Sequence, residues 1–245
     1  MKEIGEGEGE KIGPATVMRE SIEVIKGVLK GDAFQYEGKV FQASVPPLKP
    51  DAHTSRGIPP IYVAGTGPVL QKMSGVVGDG LLTASITTPA FVRYSRKNME
   101  EGARKAGKVP SGLVLGSVIV GSIARDSAKG KEGAREQAAM YLANKVQNIK
   151  GSADVLLECA GLSFDELRPV ADAMEQGGRK AAARAVTDDI LRKVCPIAGT
   201  PKECIQRIEE YRDAGCTHVM LEIWGDDRAG QAKLYGEAVL PHFEC

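Results

Sequence analysis

The residues best placed to do chemistry are Gly65, Thr66, Gly67 and Pro68, which separate an apolar run, Ile61–Ala64, from a helix-compatible stretch. Glycines at a strand exit leave backbone N–H groups free at the helix N-terminus that follows, where the helix dipole adds partial positive charge. That combination suits an anion, a phosphate above all. An ordinary tight strand-to-helix turn is the competing reading. Gly78-Asp79-Gly80 and a second apolar run, Leu81–Ala84, complete a strand–helix–strand unit. Short apolar runs without alternation suit parallel strands buried on both faces. Thr83 and Ser85, at the second strand's exit, are further polar candidates, satisfied turn hydroxyls being the equal alternative.

Other reactive residue types do not cluster. Three histidines (His53, His218, His242) and five cysteines (Cys159, Cys195, Cys204, Cys216, Cys245) match no metal-ligand spacing. No metal is therefore expected, and the thiols read as reduced and structural. His218, inside an apolar strand pattern, reads as a core or strand-end histidine. Asp188-Asp189, Glu209-Glu210 and Asp226-Asp227 resemble catalytic carboxylate pairs, but their flanks read as helix starts, solvated faces and loop. Lys+Arg and Asp+Glu both number 32, so no net field favours nucleic acid or a charged membrane. No apolar run approaches the roughly 18 residues of a spanning helix, and MKEIGEGEGEKIGP lacks the apolar segment of a signal peptide. A soluble, cytoplasmic protein is expected, its 42% hydrophobic content sufficient for a sizeable core.

The elements that would position these residues alternate. Residues 1–13 read as loop or disorder, and a helix follows over Thr16–Lys30 with Met18, Ile22, Ile25 and Leu29 on one face. Phe34–Ala43 reads as a hairpin turning at Glu37-Gly38, with Pro46, Pro47 and Pro50 keeping the chain irregular beyond it. Thr87-Thr88-Pro89 starts a helix to about Ala106, Leu113–Ala124 is the strongest strand signal, and a helix spans Ala128–Ile149. A strand-free helical section follows, with a capping box at Ser163–Glu166 and a break at Gly177-Gly178. Thr200-Pro201-Lys202-Glu203 starts another helix, Thr217–Ile223 is the last strand, and Gln231–Phe243 closes with Leu234, Ala238 and Leu240 inward. The alternation implies a parallel sheet, open or closed into a barrel, with an inserted helical hairpin.

EGKVF (Glu37–Phe41), IPPIYVAGTGP (Ile58–Pro68), GDGLLTAS (Gly78–Ser85), EGARKAG (Glu101–Gly107), IAGTPKECIQRIEEYRDAG (Ile197–Gly215) and LPHF (Leu240–Phe243) occur in register. Together they resemble the luciferase-like flavin and deazaflavin oxidoreductases, and within them the coenzyme F420-dependent 5,10-methylenetetrahydromethanopterin reductases. The resemblance implies an α/β, TIM-barrel-like (β/α)8 fold, with Ile61–Ala64 and Leu81–Ala84 as the fifth and sixth strands. Only four barrel strands are countable: Ile61–Ala64, Leu81–Ala84, the Leu113 run and Thr217–Ile223. The expectation is thus one domain over residues 1–245, an incomplete barrel lacking the family's N-terminal third, with a helical insertion at about 150–195. Because open sheet edges are costly, the sequence is a fragment, or a partner supplies the missing half, or the strands rearrange.

By the same resemblance, Ala64, Gly65, Thr66, Gly67, Val69 and Leu70 would hold the phosphate of coenzyme F420, or alternatively of FMN. The implied reaction is hydride transfer between reduced deazaflavin and a one-carbon pterin such as methylenetetrahydromethanopterin. An FMN-dependent luciferase-like monooxygenase, and an incomplete barrel acting as a subunit or binding module, are the alternatives. No catalytic residue is assigned, because the family's acidic and aromatic active-site residues sit largely on early strands that are absent. A small-molecule substrate and a homo-oligomer are expected, with neither nucleic acid nor membrane as partner.

Overall fold

The computed structural model describes residues 12–48, 57–84, 86–147 and 153–243. The stretch through residue 11, Pro50, His53, Ser85 and Cys245 lie outside the described residues. Strand β5 (Val114–Ile123) is the centre of a five-stranded parallel sheet. Its first half pairs with β4 (Gly80–Thr83), from Gly80 opposite Val114 to Thr83 opposite Ser117, and β3 (Tyr62–Ala64) lies beyond β4. Its last residues pair with β6 (Ile197–Gly199). A longer ladder, from Gly116 opposite His218 to Gly121 opposite Ile223, joins it to β7 (His218–Ile223).

Hydrogen-bond direction assigns the edges. The Val114 N–H donates to the Asp79 carbonyl (3.2 Å) and the Ala124 N–H to Gly199 (3.0 Å). The Leu115 and Gly121 carbonyls accept from Thr217 and Trp224 (2.9 and 3.0 Å). Carbonyls and amides of successive residues point to opposite sides of a strand, so β4 and β6 share one edge of β5 and β7 takes the other. The expected parallel pairing is present, and the sheet is open among the described residues, with β3 and β7 at its edges. Strand β6 is a fifth strand that the sequence count omitted. It is only Ile-Ala-Gly, too short for any periodicity to declare it.

The two faces of the sheet are covered by different helices. Leu115, Ile119 and Ile123 pack with Met99 of α3 (Pro89–Lys105), Cys204 and Tyr211 of α8 (Pro201–Asp213), and Tyr235 of α9 (Arg228–Ala238). On the other face, Val120 and Ala198 lie under α4 (Ser127–Gln147) and join residues of α5 (Ala153–Ala160), α6 (Phe164–Ala185) and α7 (Asp188–Val194). The capping boxes at Ser163/Glu166 and Thr200/Glu203 are both formed, and α6 kinks at Gly178 (φ 68°) within the anticipated break. One buried stripe differs from expectation. Leu240 is 51% exposed, whereas Leu234 packs on the core as expected, and Tyr235 and Val239, the residue after α9, are buried. Pro241 offers no N–H to continue an α-helix, so α9 stops at Ala238 and Leu240–His242 forms a 3-10 turn facing outward.

Helix α1 (Pro14–Leu29) is tied to the antiparallel hairpin of β1 (Phe34–Glu37) and β2 (Gln42–Val45) by one carboxylate. Buried Glu20 accepts from the Lys39, Val40 and Phe41 amides at 2.9–3.1 Å. Helix α2 (Pro68–Val77) lies on α3 backbone to backbone. A Cβ on Gly75 would run into the Met99 carbonyl, and one on Gly102 into the Lys72 carbonyl.

Two outcomes are expected. Gly102→Ala should cost roughly 1–3 kcal/mol as the two helices are forced apart, while Gly112→Ala, which meets no atom within 4 Å, should move stability by less than about 0.5 kcal/mol. Equal urea midpoints for the two variants would contradict this packing. The second concerns acid. Burial alone would raise the Glu203 pKa, but Lys131, the Thr200 amide and hydroxyl, and the Ser127 hydroxyl bring it from 4.5 down to about 2. A lowered folded-state pKa gives stability that is present above the unfolded value and lost as pH falls toward the folded one. Glu203 should therefore stabilise fully above pH 4.5 and progressively less toward pH 2. Glu203→Gln should abolish that part of the pH dependence of the urea midpoint; a pH-independent gap between the two proteins would refute it.

Candidate functional site

Ala64 ends β3 at the carboxyl edge of the sheet and is exposed. The Gly65 N–H donates to the Leu82 carbonyl at 3.2 Å, carrying the ladder one residue past the strand. A Cβ on Gly65 would sit 2.7 Å from the Leu70 Cβ, so only glycine lets the loop close over the first turn of α2. Gly67 is the N-cap of α2, in extended conformation and with no side-chain cap. Pro68 has no N–H, and the Gln71 N–H bonds the Gly67 carbonyl (3.1 Å). The Val69 and Leu70 N–H groups meet no protein acceptor among the described residues. Val69 is 62% exposed and Leu70 half-buried. The six residues singled out from the sequence thus fall within one strand–turn–helix segment, with the Val69 and Leu70 amides unclaimed at the helix N-terminus.

Gln71, which the sequence reading passed over, fixes this loop. Its side chain is fully buried, and Nε2 donates to the Thr66 carbonyl (3.0 Å) and to Ser95 Oγ (2.9 Å). Its Oε1 accepts from Asn98 Nδ2 (2.9 Å). A buried amide with these three bonds costs little to bury and much to disturb. The loop carbonyl therefore points back into the α2–α3 interface. Glutamine at the fourth helical position, just after the apolar Val69 and Leu70, was the only available signal.

The remaining candidates resolve into structural roles. Thr83 is buried, 2.8 Å from Ser117 Oγ and 3.3 Å from Thr87 Oγ1, a closed hydroxyl cluster. Asp188 pairs with Arg135 (2.6 Å), Asp189 with Lys193 (3.2 Å) and Arg192, Glu209 with His242 (3.1 Å), and Glu210 with Arg207. Asp227 caps α9 through the Gly230 N–H (2.8 Å). His218 is an exposed strand-end residue beside Thr217. No metal-binding cluster of His, Cys, Asp or Glu occurs among the described residues. Among them, too, no helix is long and apolar enough to cross a membrane.

A cleft of about 970 Å³ lies between α4, α7 and α8 and shares no residue with the Gly65–Leu70 loop. Its cations are spent on one another's partners: Lys131 on Glu203 (2.7 Å), Arg135 on Glu132 and Asp188, Arg207 on Glu210. An ion-paired groove of this kind offers a ligand little unopposed charge.

A second polar centre lies at the other edge of the sheet. Glu222 of β7 is the one acidic or basic side chain in the five strands besides His218. Val219, Leu221 and Ile223 pack into the core under α8 and α9, so Glu222 points to the opposite face. There Tyr141 donates to Glu222 Oε2 (2.7 Å) and Gln137 Nε2 to Oε1 (3.2 Å). Burial first, then this carboxylate, pushes the Tyr141 hydroxyl pKa up to about 12. Trp224, just past the strand, has the Arg228 guanidinium 4.7 Å and that of Arg179 5.9 Å from its ring centre.

Residues 4–218 match the model of the luciferase-like monooxygenase family. The 5,10-methylenetetrahydromethanopterin reductase of Methanopyrus kandleri is 30% identical over 96% of this chain and 65% of its own length. The F420-dependent glucose-6-phosphate dehydrogenase of Nakamurella multipartita is 25% identical over 93% of the chain and 60% of its own length. The solved structure of the coenzyme F420-dependent tetrahydromethanopterin reductase from Methanopyrus kandleri superposes with a TM-score of 0.82 at 29% identity. It is covered to 65% by a match spanning 96% of this chain. The chain therefore spans just under two thirds of the relatives it matches. With its parallel sheet, flanking helices and the extent of the family match, it belongs to the luciferase-like monooxygenase family and has that family's TIM-barrel-type fold.

Proposed function

We propose that this chain carries the cofactor-phosphate site of a coenzyme F420-dependent oxidoreductase acting on a one-carbon pterin. The observation that carries this reading is the pair of unclaimed Val69 and Leu70 amides behind an N-cap with no side chain. A helix N-terminus so arranged is complementary to a phosphate, and the dipole adds to the attraction. The fit is also steric: Gly65 and Gly67 put no Cβ between the anion and the amides. Ala64, Gly65, Thr66, Gly67, Val69 and Leu70 are the residues assigned to this contact. Relatives of stated F420 dependence support the choice of cofactor.

Bound deazaflavin supplies hydride chemistry; what the chain contributes is placement. Gln71 holds the Thr66 carbonyl inward, which turns the loop's donors rather than its acceptors outward. The α2–α3 contact through Gly75 and Gly102 fixes the axis along which those donors point. Helices α5–α7 are read as an insertion within one domain.

Titration of F420 into the 245-residue chain, followed by its 420-nm absorbance, should give saturable binding. Gly65→Val should weaken it by at least tenfold, because the branched side chain needs the space now held by Leu70. Gln71→Leu should weaken it by less, since the amides remain while their aim is relaxed. Saturable binding of FMN with none of F420 would instead favour a flavin monooxygenase. Absence of binding by either, in a chain shown folded by its cooperative melt, would defeat the assignment of this loop.

A further inference from the structure

The chain has one tryptophan, and it stands at the carboxyl end of the sheet, where ligand-contacting groups of parallel α/β folds concentrate. Trp224 follows β7 directly. Its N–H donates to the Gly121 carbonyl (3.0 Å) and its carbonyl accepts from Gln231 Nε2 (2.8 Å), so its backbone is held from two sides. Gly225 then turns the chain with φ 114°, and the indole stays half-buried.

Two guanidiniums converge on that ring from separate elements. Arg228 opens α9 and lies 4.7 Å from the ring centre. Arg179 follows the Gly178 kink of α6 and lies 5.9 Å from it. Both distances fall in the range of cation–π attraction. Among the described residues neither guanidinium forms an ion pair with a carboxylate. The acids nearest in sequence do not serve: Asp227 Oδ1 is committed to the Gly230 N–H (2.8 Å), and Asp226 pairs with neither arginine. By contrast Arg135, Arg192 and Arg207, around the cleft described above, each have a carboxylate partner.

Two like charges gathered around one ring repel each other, and the ring's quadrupole offsets only part of that. An anion shared between them removes the conflict. A guanidinium can stack by its face on an aromatic ring while the N–H fork along its edge matches a carboxylate or a phosphate. We propose that Arg179 and Arg228, gathered by Trp224, form a binding site for an oxyanion, the carboxylate or phosphate group of a small-molecule ligand. Strands β3 and β7 lie three interstrand steps apart, about 14 Å, so one oxyanion cannot touch both this site and the Gly65–Leu70 loop. Trp224 positions the arginines, and the arginines bind the anion. This site requires neither F420 nor a pterin.

Trp224 is also the reporter, because no other tryptophan contributes to the emission. Titration of the 245-residue chain with inorganic phosphate and, separately, with glutarate should change that emission saturably for at least one of the two. Potassium chloride at matched ionic strength should not. A response to phosphate alone assigns the site to phosphate groups, one to glutarate alone to carboxylates, and one to both to either group. Arg228→Gln should weaken the binding roughly tenfold, as expected for loss of a charge-assisted pair, and Arg179→Gln by less. Arg228→Lys, which keeps the charge but not the fork, should fall between Arg228→Gln and the unaltered chain. Both arginines are exposed, so the variants should melt as the unaltered chain does. Calorimetric titration of the unaltered chain and of the double variant Arg179→Gln, Arg228→Gln should differ by one anion site. Identical isotherms for those two proteins, or an emission response that chloride reproduces, would each overturn the assignment. Anion binding seen by calorimetry with the Trp224 emission unmoved would place the anion elsewhere and overturn it as well.

Discussion

Strand β5 has to be hydrogen-bonded on both edges while almost every residue along it is buried, and the rest of the molecule is arranged around that requirement. A buried backbone amide or carbonyl without a partner costs about as much as a lost hydrogen bond. The strand is longer than any of its neighbours, so one neighbour per edge does not suffice. On one edge β4 serves the first half and β6 the end. On the other, β7 runs along the middle, and Gln231 of α9 completes the job, accepting from the Ile123 N–H (3.0 Å) and donating to the Trp224 carbonyl (2.8 Å). The glycines at 116 and 121 are part of the same solution. A Cβ at Gly116 would press on Leu82 and Met220, the very side chains of the strands that flank it.

The division of labour between the two faces follows. On the side under α3, α8 and α9 the buried polar atoms are bonded within the protein: Thr83, Ser117 and Thr87 close a hydroxyl cluster, and two tyrosines donate to backbone carbonyls. Tyr235 donates to Ile197 (2.7 Å), and the fully buried Tyr211 donates to Thr87 (2.6 Å), with the Cys195 carbonyl 2.7 Å away. The opposite side is covered only toward the carboxyl ends, where α4 crosses. There the sheet carries Glu222, bonded to Gln137 and Tyr141 of α4, and the buried Ser122. Toward the amino end the same face leaves Met220 and His218 exposed. The sheet's charged Glu222 and its exposed Met220 and His218 thus fall on one face.

Much of this was legible in the residues. Local chemistry that acts within one or two turns was read directly: the proline-led helix starts, the two capping boxes, the break at Gly178 and the glycine loop after β3. What escaped had its cause elsewhere in the chain. Strand β6 is a strand only because β5 offers it an edge, and nothing in Ile-Ala-Gly declares it. Leu240 follows the helical period but meets Pro241, whose missing N–H turns it outward. Gln71 and Glu222 look like ordinary polar residues until Ser95 and Asn98, or Tyr141 and Gln137, are brought to them from another helix or strand. Side chains whose role is defined by a distant partner leave no mark on their own neighbours in sequence.

The pairing of β5 with β7 also sets a timetable. The Thr217 hydroxyl and amide meet Leu115 across 102 residues of chain. During synthesis at about 5–20 residues per second, that separation amounts to roughly 5–20 seconds. Over this interval β5 has been made, yet one of its edges has nothing to bond. It is the most apolar strand of the protein, and an unpaired strand of that composition readily recruits another chain. Closing a loop of that length adds an entropic cost that grows only with the logarithm of its size, so the delay, rather than the energy, is the hazard. Helices α4 to α7, all made before β7, fold over one face of the waiting strand and shorten its exposure.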